Sequence, residues 1–277
     1  REKSHSQSNT HLEAVPVPIK SGKAIPSSRL HPETKNPRKT DPKRREDAKT
    51  KSSPIFTSSP SGEYRLAFGL SSYPFRRWQP SFGRVLTGAF ALDTETTLID
   101  DTRPASIPTL VLGMAFDGQQ GWFVTADDMP AFLDAHTTNP LIFHNAAFDL
   151  AVLQATYDRR GIAADVYERV EAGRVADTQI LTRLISLGTK GHSARSQCSL
   201  DYCSKNHLGI ALPKDLKTPG GESVRLTFGR YLGKPFETLP AEYLHYAATD
   251  PVATWLVFHH LKTLLPAIEG SAEQAFG

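Results

Sequence analysis

Ala91-Leu92-Asp93-Thr94-Glu95-Thr96 decides how this chain is read. A short apolar strand over 88–92 leads into two acids spaced i, i+2. On a strand those positions point to one face, so Asp93 and Glu95 project together from its end. Like charges held that close repel, and a cation is the usual reason to keep them there. Hard divalent ions such as Mg²⁺ take oxygen ligands from one or two carboxylates plus substrate phosphate. The pair therefore points to a metal site for phosphoryl chemistry. Taken alone, it fits better a strand running into a polar turn, where Asp and Thr are common.

Around this stretch, 277 residues leave room for one or two domains. Charge is unevenly spread. Residues 1–60 hold 13 Lys/Arg against 6 Asp/Glu, a net of +7, while residues 61–277 hold 19 against 23, a net of −4. The tail is rich in Ser, Thr, Pro, Lys and Arg. Such a composition buries too little apolar surface to offset its ordering entropy, so disorder is expected over 1–60. Lys43-Arg44-Arg45 could touch phosphate backbone without sequence preference, and a plain solvated linker fits as well. Residues 61–84 hold Tyr64, Phe68, Tyr73, Phe75, Trp78 and Phe82 and read as an aromatic lead-in rather than a second domain. The remaining body, 85–270, is large enough for one full core.

Two cysteines, Cys198 and Cys203, match no zinc spacing, and the helical pattern around them argues against a disulfide. No apolar run reaches membrane-spanning length and no signal-peptide core is visible, so a cytoplasmic place is expected, nucleoid-associated in a bacterium, with no membrane partner. The chain begins at Arg1 rather than Met, which leaves its natural N-terminus open.

Within the body, strands are expected at 88–93, 110–116, 122–125, 140–143 and 175–177, with Asp117-Gly118 as a hairpin turn. Helices are expected at 127–136, 146–157, 178–187, 200–208, 240–249 and 252–265. Three antiparallel strands followed by strands alternating with helices give a mixed α/β sheet flanked by helices. The Gly-, Lys- and Arg-rich segment 213–237 reads as a long loop or an insertion.

Further acids lie at telling places. His144-Asn145-Ala146-Ala147-Phe148-Asp149 sits where a strand gives way to a helix, with Asn145 as candidate N-cap and Asp149 near the positive end of the helix dipole. Asp149 could simply stabilise that helix start. Near the other end, His245-Tyr246-Ala247-Ala248-Thr249-Asp250 puts Tyr246 and Asp250 on one helical face. Asp250 precedes Pro251 and could equally cap a following helix.

Asp-x-Glu, Asn-x-x-Phe-Asp and Tyr-x-x-x-Asp in this order resemble the DEDD 3′–5′ exonucleases, in particular the Tyr-type proofreading exonuclease domain of family A DNA polymerases. The likeness covers roughly residues 85–265, and Ala176-Asp177-Thr178, Ser199-Leu200 and Leu208-Gly209 agree with it. The resemblance implies an RNase H-like fold with a mixed five-stranded sheet. It implies two divalent ions, Mg²⁺ or Mn²⁺, held by Asp93, Glu95, Asp149 and Asp250, with Asp93 shared between them. Tyr246 would orient the attacking water. Thr96 with Leu98 or Ile99 would pack on the terminal base, and Asn145 and Phe148 would help place the 3′ end. His245 stands at the spacing of the His subgroup and Tyr246 at that of the Tyr subgroup; the surrounding residues favour Tyr246.

The implied activity is release of nucleoside 5′-monophosphates from a single-stranded 3′ end. No further helical module is read after Gly277, which puts DNA ahead of an RNA substrate of the ribonuclease D kind. A non-catalytic nucleic-acid-binding module is the rival that loss of one acid would favour, and all four acids are present. No polymerase fingers or palm are expected after residue 265, so a stand-alone nuclease, a subunit serving a separate DNA polymerase, and a fragment all stay open.

Overall fold

A computed structural model of the chain describes residues 56–58, 62–100, 102–103 and 106–276. The basic tail expected over 1–60 lies outside these apart from residues 56–58. In chain order the elements are β1 (Phe56–Ser58), β2 (Tyr64–Phe68), β3 (Ser71–Arg77), β4 (Phe90–Thr96), β5 (Leu110–Phe116), β6 (Gly121–Thr125), α1 (Met129–Ala135), β7 (Leu141–Phe143), α2 (Ala146–Arg159), α3 (Glu168–Glu171), β8 (Val175–Asp177), α4 (Thr178–Lys190), α5 (Leu200–Cys203), α6 (Val224–Thr227) and α7 (Ala241–Phe276).

One sheet runs β1-β2-β3-β6-β5-β4-β7-β8. Its β6-β5-β4-β7-β8 part is the expected RNase H-like sheet: β4 pairs antiparallel with β5 and β5 with β6, while β7 lies parallel to β4 and β8 parallel to β7. Every side chain of β5 is buried, which explains why its sequence is a continuous apolar run rather than an alternation. Asp117 Oδ1 accepts the backbone N–H groups of Gln119 and Gln120, and Gly118 takes a φ of 97° to close the hairpin.

The sheet has eight strands rather than five. Residues 64–77 supply β2 and β3, and β3 pairs parallel with β6, continuing the sheet past its expected edge. Leu66, Phe68 and Phe75 are buried on one face, with Phe75 stacked on Phe116 at 6.0 Å. Gly121 sits under that ring, where an added Cβ would lie 2.1 Å from it. The aromatic composition of the lead-in thus serves a strand pair that buries its apolar side.

Two cores flank the sheet. One holds Leu112, Met114 and Phe116 with Ala247, Val252, Ala253 and Val257 of α7. The other holds Phe90 and Leu92 with Phe132 of α1 and Leu150 and Leu153 of α2. Two expectations are corrected here. Helices 240–249 and 252–265 are one helix, α7, which continues through Pro251. Proline removes one helical hydrogen bond, yet the small buried residues Ala247, Ala248 and Ala253 hold the helix flat against the sheet. Asp250 therefore lies inside a helix and caps none. Segment 213–237 is not a bare loop either: it contains α6 and short 3-10 turns at Phe228–Tyr231 and Phe236–Thr238, and it buries Val224, Phe228 and Phe236.

Candidate active site

The carboxyl end of β4 carries polar residues on both faces of the sheet. Asp93 and Glu95 pair across to Met114 and Leu112, which belong to the α7-side core, so both acids face α7. Thr94 points the other way and donates its hydroxyl to Asp149 Oδ1 at 2.7 Å. A bulge between Glu95 and Thr96 shifts the register with β5, so that Thr96 pairs with Leu110. Asp149 arrives from the first turn of α2, and Asp250 from α7 one helical turn after Tyr246. Four carboxylates from three distant stretches thus gather around one strand end.

Their charges act on one another. Burial raises the pKa of Asp93 well above the usual aspartate value, and the charges of Asp149, Asp250 and Glu95 push it further. Burial likewise raises Glu95, aided by Asp250. Asp149 is pushed up to about 7 by burial, against the hydrogen bond from Thr94. Tyr246, buried beside them, has its phenol pKa raised by burial and then by Asp250 and Glu95, so its O–H stays protonated. Burial lowers the pKa of His245.

Asn145 occupies the position before α2, but its side chain makes no capping bond. Its backbone is left-handed, with φ 76°, the only non-glycine in that region among the described residues. The cap comes instead from Asp177 at the end of β8, which accepts the N–H groups of Asn145 at 3.1 Å and Ala146 at 2.8 Å. The same carboxylate caps α4 through Gln179 and Ile180. Asp177 so fixes the start of α2, and with it Asp149. Asn145 is exposed, and asparagine tolerates this strained conformation better than most residues. Phe148 is half-buried against the α2-side core, and Thr96 is half-buried with its hydroxyl on the Thr97 carbonyl. Leu98 and Ile99 are both exposed just beyond the bulge.

One residue here was not foreseen from the sequence. Lys214, in the segment read as a loop, places its ammonium 2.8 and 2.6 Å from the two carboxylate oxygens of Asp250. The same Nζ lies 5.4 Å from the centre of the Tyr246 ring. Burial works against that charge, but Asp250, Asp93 and Glu95 hold the lysine pKa above its ordinary value. Arg225 of α6 adds a second positive field at Glu95 and Tyr246. A lone Lys in a Gly- and Lys-rich stretch carries no spacing signal, so only the fold could bring it here.

Carboxylate oxygens are the donor set that hard divalent cations take, and the chemistry of Asp93, Glu95, Asp149 and Asp250 fits such ions. Among the described residues, no three His, Cys, Asp or Glu side chains stand in a ready-made coordination arrangement. Both oxygens of Asp250 accept from Lys214, and Asp149 Oδ1 accepts from Thr94. Among the described residues, no helix is long and apolar enough to cross a membrane.

Comparison with known proteins follows the same lines. No curated protein sequence matches the chain. Among solved structures, one described as the apo form of a nuclease is 21% identical, with a TM-score of 0.44, over 73% of this chain and 84% of its own. The catalytic core of RRP6 from Trypanosoma brucei is 18% identical, with a TM-score of 0.45, over 67% of this chain and 44% of its own. RNase D from Escherichia coli, an exoribonuclease involved in structured RNA processing, is 17% identical, with a TM-score of 0.42, over 65% of this chain and 40% of its own. This chain spans less than half the length of the latter two. A family model described as 3′–5′ exonuclease matches residues 83–266, more than half of the chain, and the protein belongs to that family.

Proposed function

We propose that this family member hydrolyses the 3′-terminal phosphodiester of single-stranded DNA with two divalent ions, Mg²⁺ or Mn²⁺, and releases nucleoside 5′-monophosphates. The observation that carries the reading is the gathering of Asp93, Glu95, Asp149 and Asp250 beside a buried Tyr246. In this reading residues 85–270 are the exonuclease domain, preceded by the lead-in. Asp93, Glu95 and Asp250 would hold one ion, and Asp93 with Asp149 the other. Bound there, such ions supply Lewis acidity and offset charge that develops on the phosphate.

The chain's own residues do the rest. Tyr246 keeps its proton and offers its hydroxyl to position the incoming water. Asp177 and Thr94 hold Asp149 in place. Leu98 and Ile99, both exposed, offer an apolar surface for the terminal base, with Thr96 and Phe148 beside the path. Asn145 presents an exposed amide at the helix start for the scissile end. DNA is placed ahead of RNA on the likeness of the three motifs to the proofreading domain, and a separate polymerase is the natural partner for such an activity. Single-stranded DNA and RNA of one sequence, each with a free 3′ end and Mg²⁺, give the test. Faster shortening of DNA is expected; faster shortening of RNA moves the substrate class, and shortening of neither removes the reading.

A further inference from the structure

Lys214 stands where a cation is wanted. Both oxygens of Asp250 accept from its ammonium, and Asp93 and Glu95 also act on it. Its backbone is pinned on both sides. The Leu212 N–H donates to Asp201 at 3.0 Å, Leu212 is buried, and Val224 donates to the Leu216 carbonyl at 3.0 Å. The side chain between these anchors is a flexible four-carbon stem that keeps 30% of its surface exposed. It can swing outward without moving the segment that carries it.

We propose that Lys214 is a tethered counter-ion that holds Asp250 while the site is metal-free and competes with a divalent ion for that carboxylate. The inference rests on the proposed metal-dependent function and adds a positioning residue to it. The ammonium takes up a lone pair on each oxygen of Asp250 and puts a positive charge where a divalent ion would approach, so it opposes that ion. Four gathered acids also repel, and one fixed positive charge offsets part of that repulsion. The ammonium therefore does two opposite things: it supports the metal-free fold and competes with the ion.

A merely structural ion pair would do only the first, and this separates the two. Mn²⁺ is titrated into the full chain by calorimetry, and thermal unfolding is followed in chelator. Lys214→Met is expected to unfold at a lower temperature in chelator and to bind Mn²⁺ about tenfold more tightly. Lys214→Arg keeps the charge and is expected to stay near wild type in both measurements. If Lys214→Met does not fold, Lys214→Gln carries the same two expectations. Equal or weaker Mn²⁺ affinity in the uncharged variant overturns the inference while leaving the metal centre standing. No Mn²⁺ uptake by the wild-type chain overturns both.

Discussion

Strand β4 and the segment 213–237 both reach the acid cluster, by different physical means. β4 places Asp93 and Glu95 through its own period-2 geometry, a local property of consecutive residues. The segment places Lys214 because Leu212, two residues before it, and Val224, Phe228 and Phe236, well downstream, bury themselves in the α7-side core. A local pattern can be read without the fold; a charge delivered by remote packing cannot. The acids and their nearest positive charge in this site fall on opposite sides of that divide.

Breaking β4's contribution should have the largest effect. Asp93→Ala removes the acid whose pKa all three of the others raise, and kcat should fall by several orders of magnitude with a smaller change in substrate binding. A near-normal rate in steady-state assays would reduce the strand's acids to a structural role.

Next comes the choice on α7. Tyr246→Phe keeps the ring but loses the hydroxyl, and the rate should drop by roughly one to three orders of magnitude. His245→Ala should lose much less. The reverse pattern in kcat would move the water-positioning role to His245.

The segment is sharpened by Phe228→Ala. This ring is buried, 5.0 Å from Tyr243 and 6.0 Å from Tyr246. Truncation should cost about 3–5 kcal/mol of stability in denaturant unfolding. A loss well under that range would mean the segment is not held by its own apolar anchors.

The smallest effect expected is in pH dependence. In the metal-free protein, burial raises Asp149 to about 7, above its ordinary 3.8. Between those values the folded state binds more protons than the unfolded, so stability falls as pH rises toward 7. The slope is at most about 1.4 kcal/mol per pH unit for one group. Asp149→Asn should flatten that slope in chelator, measured by unfolding at a series of pH values from 5 to 8. An unchanged slope would show that Asp149 does not carry the shifted proton.

Much of this was legible in advance because it was local. The Asp117-Gly118 hairpin, the apolar run of β5 and the i, i+4 spacing of Tyr246 and Asp250 each follow from neighbouring residues. The misreadings share another cause. Pro251 signals a helix break, yet tertiary packing carries α7 through it. Asn145 is a good capping residue by type, yet Asp177, 32 positions away, makes the bond. The lead-in's aromatics promised order, but not that β3 would find a partner in the exposed edge of β6.

The central claim is that the gathered carboxylates run a metal-dependent 3′–5′ hydrolysis. Its most direct test is a single-stranded DNA labelled at its 5′ end, incubated with the wild-type chain and Mg²⁺ and sampled over time. A ladder of labelled products that shortens step by step, and that stops in excess chelator, is predicted. Release of the label as a mononucleotide at the first time points, or an undiminished ladder in chelator, would contradict it.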